Sequence, residues 1–311
     1  MSSTTQFAPD VTAGVPVTAR YVHKVDASEV LLREWQATGD DTYRVLARWP
    51  QAHGFYSSRH GLHDPLLFTE TVRQMVPLLS HAAYGVPFGH RQVWSSLSYS
   101  LTPAALTVGE SGTAVELRVA CRDIVRRSGR LASMNMQVEI VQDGVQVGVA
   151  RTRFANYAPA LYERVRGPYA DIARSIGRAL PPPAPMAPLR VGRDRAADVV
   201  LSASDIPGRG QLRIDLEHPV LFDHPVDHAP GMLVLEAARQ AAQAVTHPRP
   251  MTAVGMDVVF ARYCEFDGPC WIHASLLESP GRGPARVIVS LVQNDMCVFS
   301  GVVTLLETGA S

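Results

Sequence analysis

The sequence predicts an α+β fold made of two similar halves. In each half a single long apolar helix is followed by four strand patterns, and such a run favours α+β over a parallel α/β sheet. The last two strands of each half are joined by a two-residue turn, Asp143-Gly144 or Asn294-Asp295, which is typical of a hairpin. Residues 63–74 also align with residues 229–240 at a constant offset, which indicates an internal repeat.

Each element follows from hydrophobic periodicity and turn residues. In the first half we predict strands at 42–49, 92–101, 113–124, 131–142 and 145–157, with a helix at 65–84. In the second half we predict strands at 211–216, 252–263, 270–278, 285–293 and 296–306, with a helix at 230–246.

A proline-rich segment separates the halves. It runs from Arg178 to Arg193 and contains five prolines, so we expect an extended linker. The sequence therefore predicts an N-terminal unit at 18–165, a linker at 178–193 and a C-terminal unit at 194–307. We expect the ends, up to about Thr18 and from Thr308, to lie outside the packed units.

Composition excludes several functions. The 311 residues carry 29 basic and 29 acidic side chains, whereas nucleic-acid and membrane-surface binders usually have a basic excess. Lys24 is the single lysine, which argues against Schiff-base chemistry and a P-loop. The four cysteines form no CxxC pair, so we expect them to be reduced and buried in the core. We find no signal peptide and no apolar run long enough to span a membrane, so we predict a cytoplasmic protein.

Both long helices carry charged residues on surfaces that are otherwise apolar. The second helix has Glu236, Arg239 and Gln240 on one side, because residues at i, i+3 and i+4 are neighbours. The equivalent residues of the first helix are Glu70, Arg73 and Gln74. Two interpretations stay open: a structural Glu–Arg pair at a seam or dimer contact, or a site in which burial raises the pKa of the glutamate and makes it a base.

The helix starts add a second feature. Pro65 and Pro230 stand near the first helical position, where proline is favoured. Gly231 lets a ligand approach the backbone, and a free helix N-terminus can hold a carbonyl oxygen as it becomes an oxyanion.

The segment 224–232, followed by Glu236 and Gln240, resembles the hotdog fold of acyl-thioester dehydratases and thioesterases. Motifs of the first half narrow the resemblance to the A-factor biosynthesis (AfsA-like) family; they are Val22-His23-Lys24, residues 29–32 with Trp35, residues 47–50, His63-Asp64-Pro65-Leu66, Gly85-Val86-Pro87 and Leu97-Ser98-Tyr99. The resemblance extends from about Tyr21 to Leu306. It implies a tandem (double) hotdog, in which two antiparallel sheets each wrap a long central helix.

The resemblance also implies an acyltransferase that needs no cofactor. Such proteins join a β-ketoacyl thioester, on acyl carrier protein or coenzyme A, to the hydroxyl of dihydroxyacetone phosphate. The ester closes to a butenolide phosphate, the precursor of γ-butyrolactone or furan autoinducers that regulate secondary metabolism by quorum sensing. The suspected catalytic residues of the family fall on Glu70, Glu236 and Arg239.

Acyl transfer to an alcohol requires a base, an oxyanion site and, here, a phosphate anchor. We assign these roles to Glu236, to the Gly231 amide and to Arg239. Alternatively, Arg239 neutralises Glu236, which would then be a poor base. The further candidates for substrate binding are Arg73, Gln74, Gln240, His63, His224 and His228.

Other functions remain open. One loop contains side chains of types that bind metals: Asp223, His224, Asp227 and His228. Because the loop contains prolines, and such residues in loops more often form caps and turns, we predict no metal.

Phe222 stands where a dehydratase commonly has histidine, which argues against dehydration. The alternatives to the acyltransferase are a thioesterase or dehydratase and a non-catalytic acyl-binding protein. We expect no nucleic-acid or membrane partner, and either a pseudo-dimeric monomer or a homodimer.

Overall fold

One antiparallel sheet runs through both halves of the chain. A computed structural model describes residues 14–278 and 283–308; residues 1–13 and 309–311, which belong to the two ends expected to be loose, lie outside the described residues. Over the described ranges, thirteen strands follow the order β1-β2-β3-β5-β6-β7-β4-β10-β13-β12-β11-β9-β8.

The strands and helices have the following bounds. In the first half the strands are β1 (Val15–Pro16), β2 (Leu32–Gly39), β3 (Thr42–Trp49), β4 (Arg91–Leu101), β5 (Thr113–Arg127), β6 (Arg130–Gln142) and β7 (Val145–Tyr157). In the second half they are β8 (Leu201–Ala203), β9 (Arg209–Leu212), β10 (Met251–Phe260), β11 (Cys270–Leu277), β12 (Ala285–Gln293) and β13 (Met296–Glu307). The helices are α1 (Pro65–Leu78), α2 (Pro159–Arg166), α3 (Ile172–Gly177) and α4 (Gly231–Thr246).

The two halves join edge to edge. Strand β4 pairs antiparallel with β10, with Leu97 opposite Val258 and Tyr99 opposite Met256. This pairing protects an edge that each half would otherwise expose. The predicted α+β fold is confirmed, and the two antiparallel sheets that the resemblance implies are joined into one.

The two long helices are buried against this sheet. Every residue of α1 except Arg73 is buried, and α4 buries Glu236, Arg239 and Gln240 together with its apolar residues. Helix α1 extends into a π-helical turn at Leu79–Ala83, so the helical segment predicted at 65–84 is present. Because the helices are buried, their charged side chains lie beside the core, where each needs a partner of opposite charge.

Several elements differ from the sequence-based expectation. Strand β2 and the short surface helices α2 and α3 were not predicted, and the second-half strand expected at 211–216 is observed as β9, over 209–212. Three cysteines are buried as expected, but Cys297 is exposed, because it lies at the start of β13 beside the hairpin turn.

The proline-rich segment packs along the second half. The Leu180 amide donates to the Phe266 carbonyl, and the Met186 amide donates to the Leu201 carbonyl. Val191 and Arg193, at its end, are 0% and 1% exposed. The predicted division at 18–165, 178–193 and 194–307 stays a prediction, but Arg193 contributes to the buried structure of the second half. Among the helices of the described residues, none is long and apolar enough to cross a membrane.

Candidate active site

The two long helices carry equivalent buried glutamate clusters. Glu70 accepts hydrogen bonds of 2.8 and 2.9 Å from Nε and Nη2 of Arg73. Glu236 accepts hydrogen bonds of 2.8 and 2.7 Å from the same atoms of Arg239. The glutamates are 1% and 0% exposed. The i, i+3 spacing in the sequence therefore produces a buried ion pair in each half.

Gln74 and Gln240 complete both clusters as structural residues. The side-chain amide of Gln74 donates to Glu70 and to the Glu29 carbonyl, and its oxygen accepts from the Leu31 amide. Gln240 makes the equivalent contacts with Glu236, the Asp198 carbonyl and the Val200 amide. Protein groups thus occupy both ends of each amide. The arrangement does not favour the predicted substrate-binding role of these two residues.

A second cation joins each cluster from outside the helix. Lys24 follows a 3-10 turn at Ala19–Val22, and its Nζ lies 3.4 Å from Glu70 Oε1. Arg193 follows the equivalent turn at Pro188–Val191, and its Nε lies 2.7 Å from Glu236 Oε1. Lys24 also lies within 4 Å of Glu29 and Asp223. Neither cation was a predicted site residue.

The cations determine the charge of the glutamates. Burial opposes ionisation of Glu70, but Arg73 and Lys24 overcome it and lower its pKa to about 2. Burial likewise opposes ionisation of Glu236, and Arg193 with Arg239 lowers its pKa to about 2. Of the two interpretations left open by the sequence, the one in which burial raises the glutamate pKa has the wrong direction, and the structural Glu–Arg pair agrees with these contacts. Both carboxylates are ionised at neutral pH, and each is a weak base.

The N-termini of the two helices differ. At the start of α1, Asp64 Oδ1 accepts a hydrogen bond of 2.9 Å from the Leu66 amide, and Asp64 Oδ2 accepts one of 2.7 Å from Arg193. At the start of α4, the cap residue is Pro230, and no side chain caps the helix. The backbone N–H groups at the start of α4 are thus available to a ligand oxygen.

The free start of α4 opens into a cavity of about 800 Å³ between the halves. Its polar wall contains Lys24, Glu70 and Arg73 together with His224 and His228, and Gly231 lies beside them. The structure therefore brings Gly231 together with Glu70 and not with Glu236. The sequence-based grouping of Gly231 with Glu236 stays a prediction that this arrangement does not favour, because Glu236 does not line the cavity.

The equivalent region of the other cluster is a smaller cavity of about 240 Å³. Asp64, Arg193 and Arg239 lie in its wall, and so does His63. His63 is 1% exposed, and its Nε2 lies 2.8 Å from Thr113 Oγ1. The Arg193–Asp64 pair closes the start of α1. The large cavity is thus the better candidate for a substrate site.

Two neighbouring histidines of the large cavity each pair with the preceding aspartate. His224 Nδ1 lies 2.5 Å from Asp223 Oδ1, and His228 Nδ1 lies 2.8 Å from Asp227 Oδ1. No group of three or more His, Cys, Asp or Glu side chains in the described residues is arranged to hold a metal ion. In each pair the aspartate holds the Nδ1 atom of the histidine, and this contact determines which ring nitrogen carries the hydrogen.

Comparison with protein families gives a match over most of the chain. Residues 4–156 and 176–306 match the model of the A-factor biosynthesis hotdog domain. A relative from Streptomyces virginiae, named 2-oxo-3-(phosphooxy)propyl 3-oxoalkanoate synthase, is 43% identical over 279 residues, which cover 90% of this chain and 94% of the relative. A relative from Streptomyces coelicolor with the same name is 39% identical, with coverage of 92% and 90%.

Solved structures support the fold alone. A putative oleoyl thioesterase from Lactobacillus plantarum superposes with a TM-score of 0.54 at 13% identity, covering 86% of this chain and 97% of that chain. The 12:0-ACP thioesterase from Umbellularia californica superposes with a TM-score of 0.52 at 9% identity, with coverage of 86% and 94%. Together with the family match, these likenesses confirm the tandem hotdog fold.

Proposed function

The chain belongs to the A-factor biosynthesis hotdog family, and from that premise we propose that it is a 2-oxo-3-(phosphooxy)propyl 3-oxoalkanoate synthase. This enzyme is an acyltransferase that forms an ester between a β-ketoacyl chain and the primary hydroxyl of dihydroxyacetone phosphate. The observation that carries the proposal is the cavity in which the uncapped start of α4 opens beside Lys24 and Arg73. An acyl carbonyl and a phosphate require those two kinds of group.

The uncapped helix start serves the acyl donor. N–H groups at the start of α4 would bind the thioester carbonyl oxygen, and they would bind it more strongly once it becomes a tetrahedral oxyanion. Gly231 allows this approach because it carries no side chain. Trp94 lies beside it and limits the space, since a Cβ at position 231 would come within 3.2 Å of the indole.

The cationic wall serves the acceptor. Arg73 uses Nε and Nη2 on Glu70 and the Val22 carbonyl; Nη1 makes no hydrogen bond to any other described residue, so it can donate to phosphate. Lys24 adds a second charge. Glu70 holds both cations in place, so we assign it a positioning role instead of the base role. Glu236 and Arg239 become structural in this proposal, because neither lines the large cavity.

The donor would be a thioester of acyl carrier protein or coenzyme A, both of which present the acyl chain on a phosphopantetheine arm. The product would supply the butenolide phosphate from which a γ-butyrolactone or furan signal is made. We place this reaction in the cytoplasm. We assign no cofactor to it.

The decisive experiment is product analysis. The purified chain is mixed with dihydroxyacetone phosphate and a β-ketoacyl thioester, and mass spectrometry detects the phosphorylated ester or the butenolide derived from it. A free β-keto acid in place of the ester would identify a thioesterase. Binding of the thioester without any turnover would identify an acyl-binding protein, and either result overturns the proposal.

A further inference from the structure

We propose that His228, oriented by Asp227, carries the proton in acyl transfer. The inference rests on the proposed function and supplies the base that Glu70 and Glu236 do not provide. His228 lies three residues before Gly231 in the sequence, and both line the large cavity. Its side chain is 27% exposed, so the ring is fixed by protein on one side and reachable from the cavity on the other.

Asp227 is built to stay ionised. The Tyr162 hydroxyl lies 2.8 and 2.7 Å from its two carboxylate oxygens, and Arg166 Nε donates a hydrogen bond of 3.0 Å to Oδ2. Arg166 is held in turn by Glu265. Burial opposes ionisation of Asp227, but the contacts from His228, Tyr162 and Arg166 hold its pKa well below the usual range.

An ionised Asp227 fixes the tautomer of His228. A carboxylate only accepts hydrogen bonds, so Nδ1 of His228 must carry the hydrogen that it shares with Oδ1. In the neutral imidazole, Nε2 then holds a lone pair. This nitrogen makes no hydrogen bond to any residue of 14–278 or 283–308, and Tyr263 packs edge-on against the ring at 4.7 Å. The ring thus presents an acceptor atom at a fixed orientation.

The other two histidines of the cavity are less suited to this role. Burial, with the nearby charges of His81 and Arg73, lowers the pKa of His23 to about 3, so it is a weak base. His224 pairs in the same way with Asp223, but it lies seven residues before Gly231, whereas His228 lies three before it. His224 is also more exposed, at 39%. His228 combines an ionised partner with a place beside the helix start.

The proton path balances without a further reagent. His228 Nε2 takes the hydroxyl proton as the acceptor oxygen bonds to the thioester carbonyl carbon. The carbonyl oxygen becomes an oxyanion at the start of α4. When the tetrahedral intermediate collapses, the C–S bond breaks and Nε2–H returns the proton to sulfur. The products are the ester and a thiol.

The test compares His228→Gln with His273→Gln, in which an exposed histidine of β11 is changed. We expect His228→Gln to fold, to lower kcat by about 10²-fold or more and to remove the acidic limb of the kcat pH profile, while His273→Gln matches the wild type. A His228→Ala variant should regain rate when imidazole is added, which a merely structural defect would not do.

A second measurement does not depend on activity. In protein labelled with ¹⁵N-histidine, the His228 signal is assigned by its loss in His228→Gln, and the neutral form of the ring should show a protonated Nδ1 and a bare Nε2. The opposite tautomer overturns the inference, as does an unchanged rate and pH profile in a folded His228→Gln variant. If the wild type forms no ester at all, the proposed function fails and this inference fails with it.

Discussion

Arg193, at the end of the proline-rich segment, donates a hydrogen bond of 2.7 Å to Asp64, the cap residue of α1. This contact makes the two halves unequal. Arg193 bridges the buried carboxylates of Asp64 and Glu236, whereas Lys24, its counterpart, lines the cavity into which the uncapped start of α4 opens. One of two equivalent sites is thereby closed by an internal ion pair, and the other stays open to substrate.

The first prediction concerns Glu236. Replacing it with glutamine leaves Arg193 and Arg239 without a shared anion in a buried position, so Glu236→Gln should lower the free energy of unfolding by about 3–5 kcal/mol. Below the unfolding temperature, kcat should stay within about twofold of the wild type, because Glu236 lies outside the large cavity. Urea unfolding and initial rates check both parts. A stable variant with no activity would restore Glu236 as the base.

The second prediction compares equivalent arginines. Arg73→Lys should raise the KM for dihydroxyacetone phosphate by about tenfold, because lysine cannot hold Glu70 and also donate to phosphate from a planar fork. Arg239→Lys should leave that KM unchanged and lower the melting temperature instead. Steady-state kinetics and thermal unfolding of both variants distinguish the halves. If only Arg239→Lys raises the KM, the assignment of the cavities is reversed.

Much of the fold follows from local signals. Strands β3, β7 and β12 have the bounds that alternation and turn residues indicate. Strands β5 and β6 are longer than predicted because Ser128 and Gly129 form the turn between them, with φ of 50° and 76°. Strand β2 lacks regular alternation of burial, so periodicity did not reveal it.

The site was only partly predictable. The spacing of glutamate, arginine and glutamine is local to each helix, so both buried clusters could be found from the sequence. The pKa direction depends on Lys24 and Arg193, which approach from distant segments, and it could not be found from the helix alone. The meeting of the α4 start with Glu70 depends on how the two halves pack. The sequence did contain one signal for the role of Lys24, because this residue lies in the Val22-His23-Lys24 motif that carries the family resemblance.

The third prediction tests the helix start. An alanine Cβ at Gly231 would lie 3.2 Å from Trp94 Cε3, so Gly231→Ala must displace the indole and narrow the approach to the α4 amides. We expect kcat to fall by tenfold or more, since small misplacements of a bound acyl group are costly. Gly177→Ala, at the end of α3, meets no atom within 4 Å and is the matched control. Equal rates for both variants would contradict an oxyanion role for the α4 start.

The fourth prediction concerns acid stability. The pKa of Glu236 is about 2 in the folded chain and 4.5 in the reference state, so the unfolded state binds more protons between these values. The stabilisation from Glu236 is therefore complete above about pH 4.5 and is lost as the pH falls toward 2. The stability difference between wild type and Glu236→Gln should shrink between pH 7 and pH 3 in urea unfolding. The exposed Glu217→Gln should show no such trend, and a pH-independent difference for Glu236→Gln would refute the ion-pair account.

The fifth prediction uses the single lysine of the chain. Protein labelled with ¹⁵N-lysine gives one backbone amide signal, from Lys24, so a ligand that binds beside it can be followed without further assignment. Because the Lys24 side chain lines the large cavity, dihydroxyacetone phosphate should shift this signal in a saturable manner. Dihydroxyacetone without phosphate should shift it much less, since the cations bind the phosphate. Arg73→Lys should weaken the shift, and Arg239→Lys should leave it intact. If the Lys24 signal does not respond at concentrations of dihydroxyacetone phosphate that support turnover, the acceptor binds elsewhere. The smaller cavity beside Arg239 would then be the site to examine.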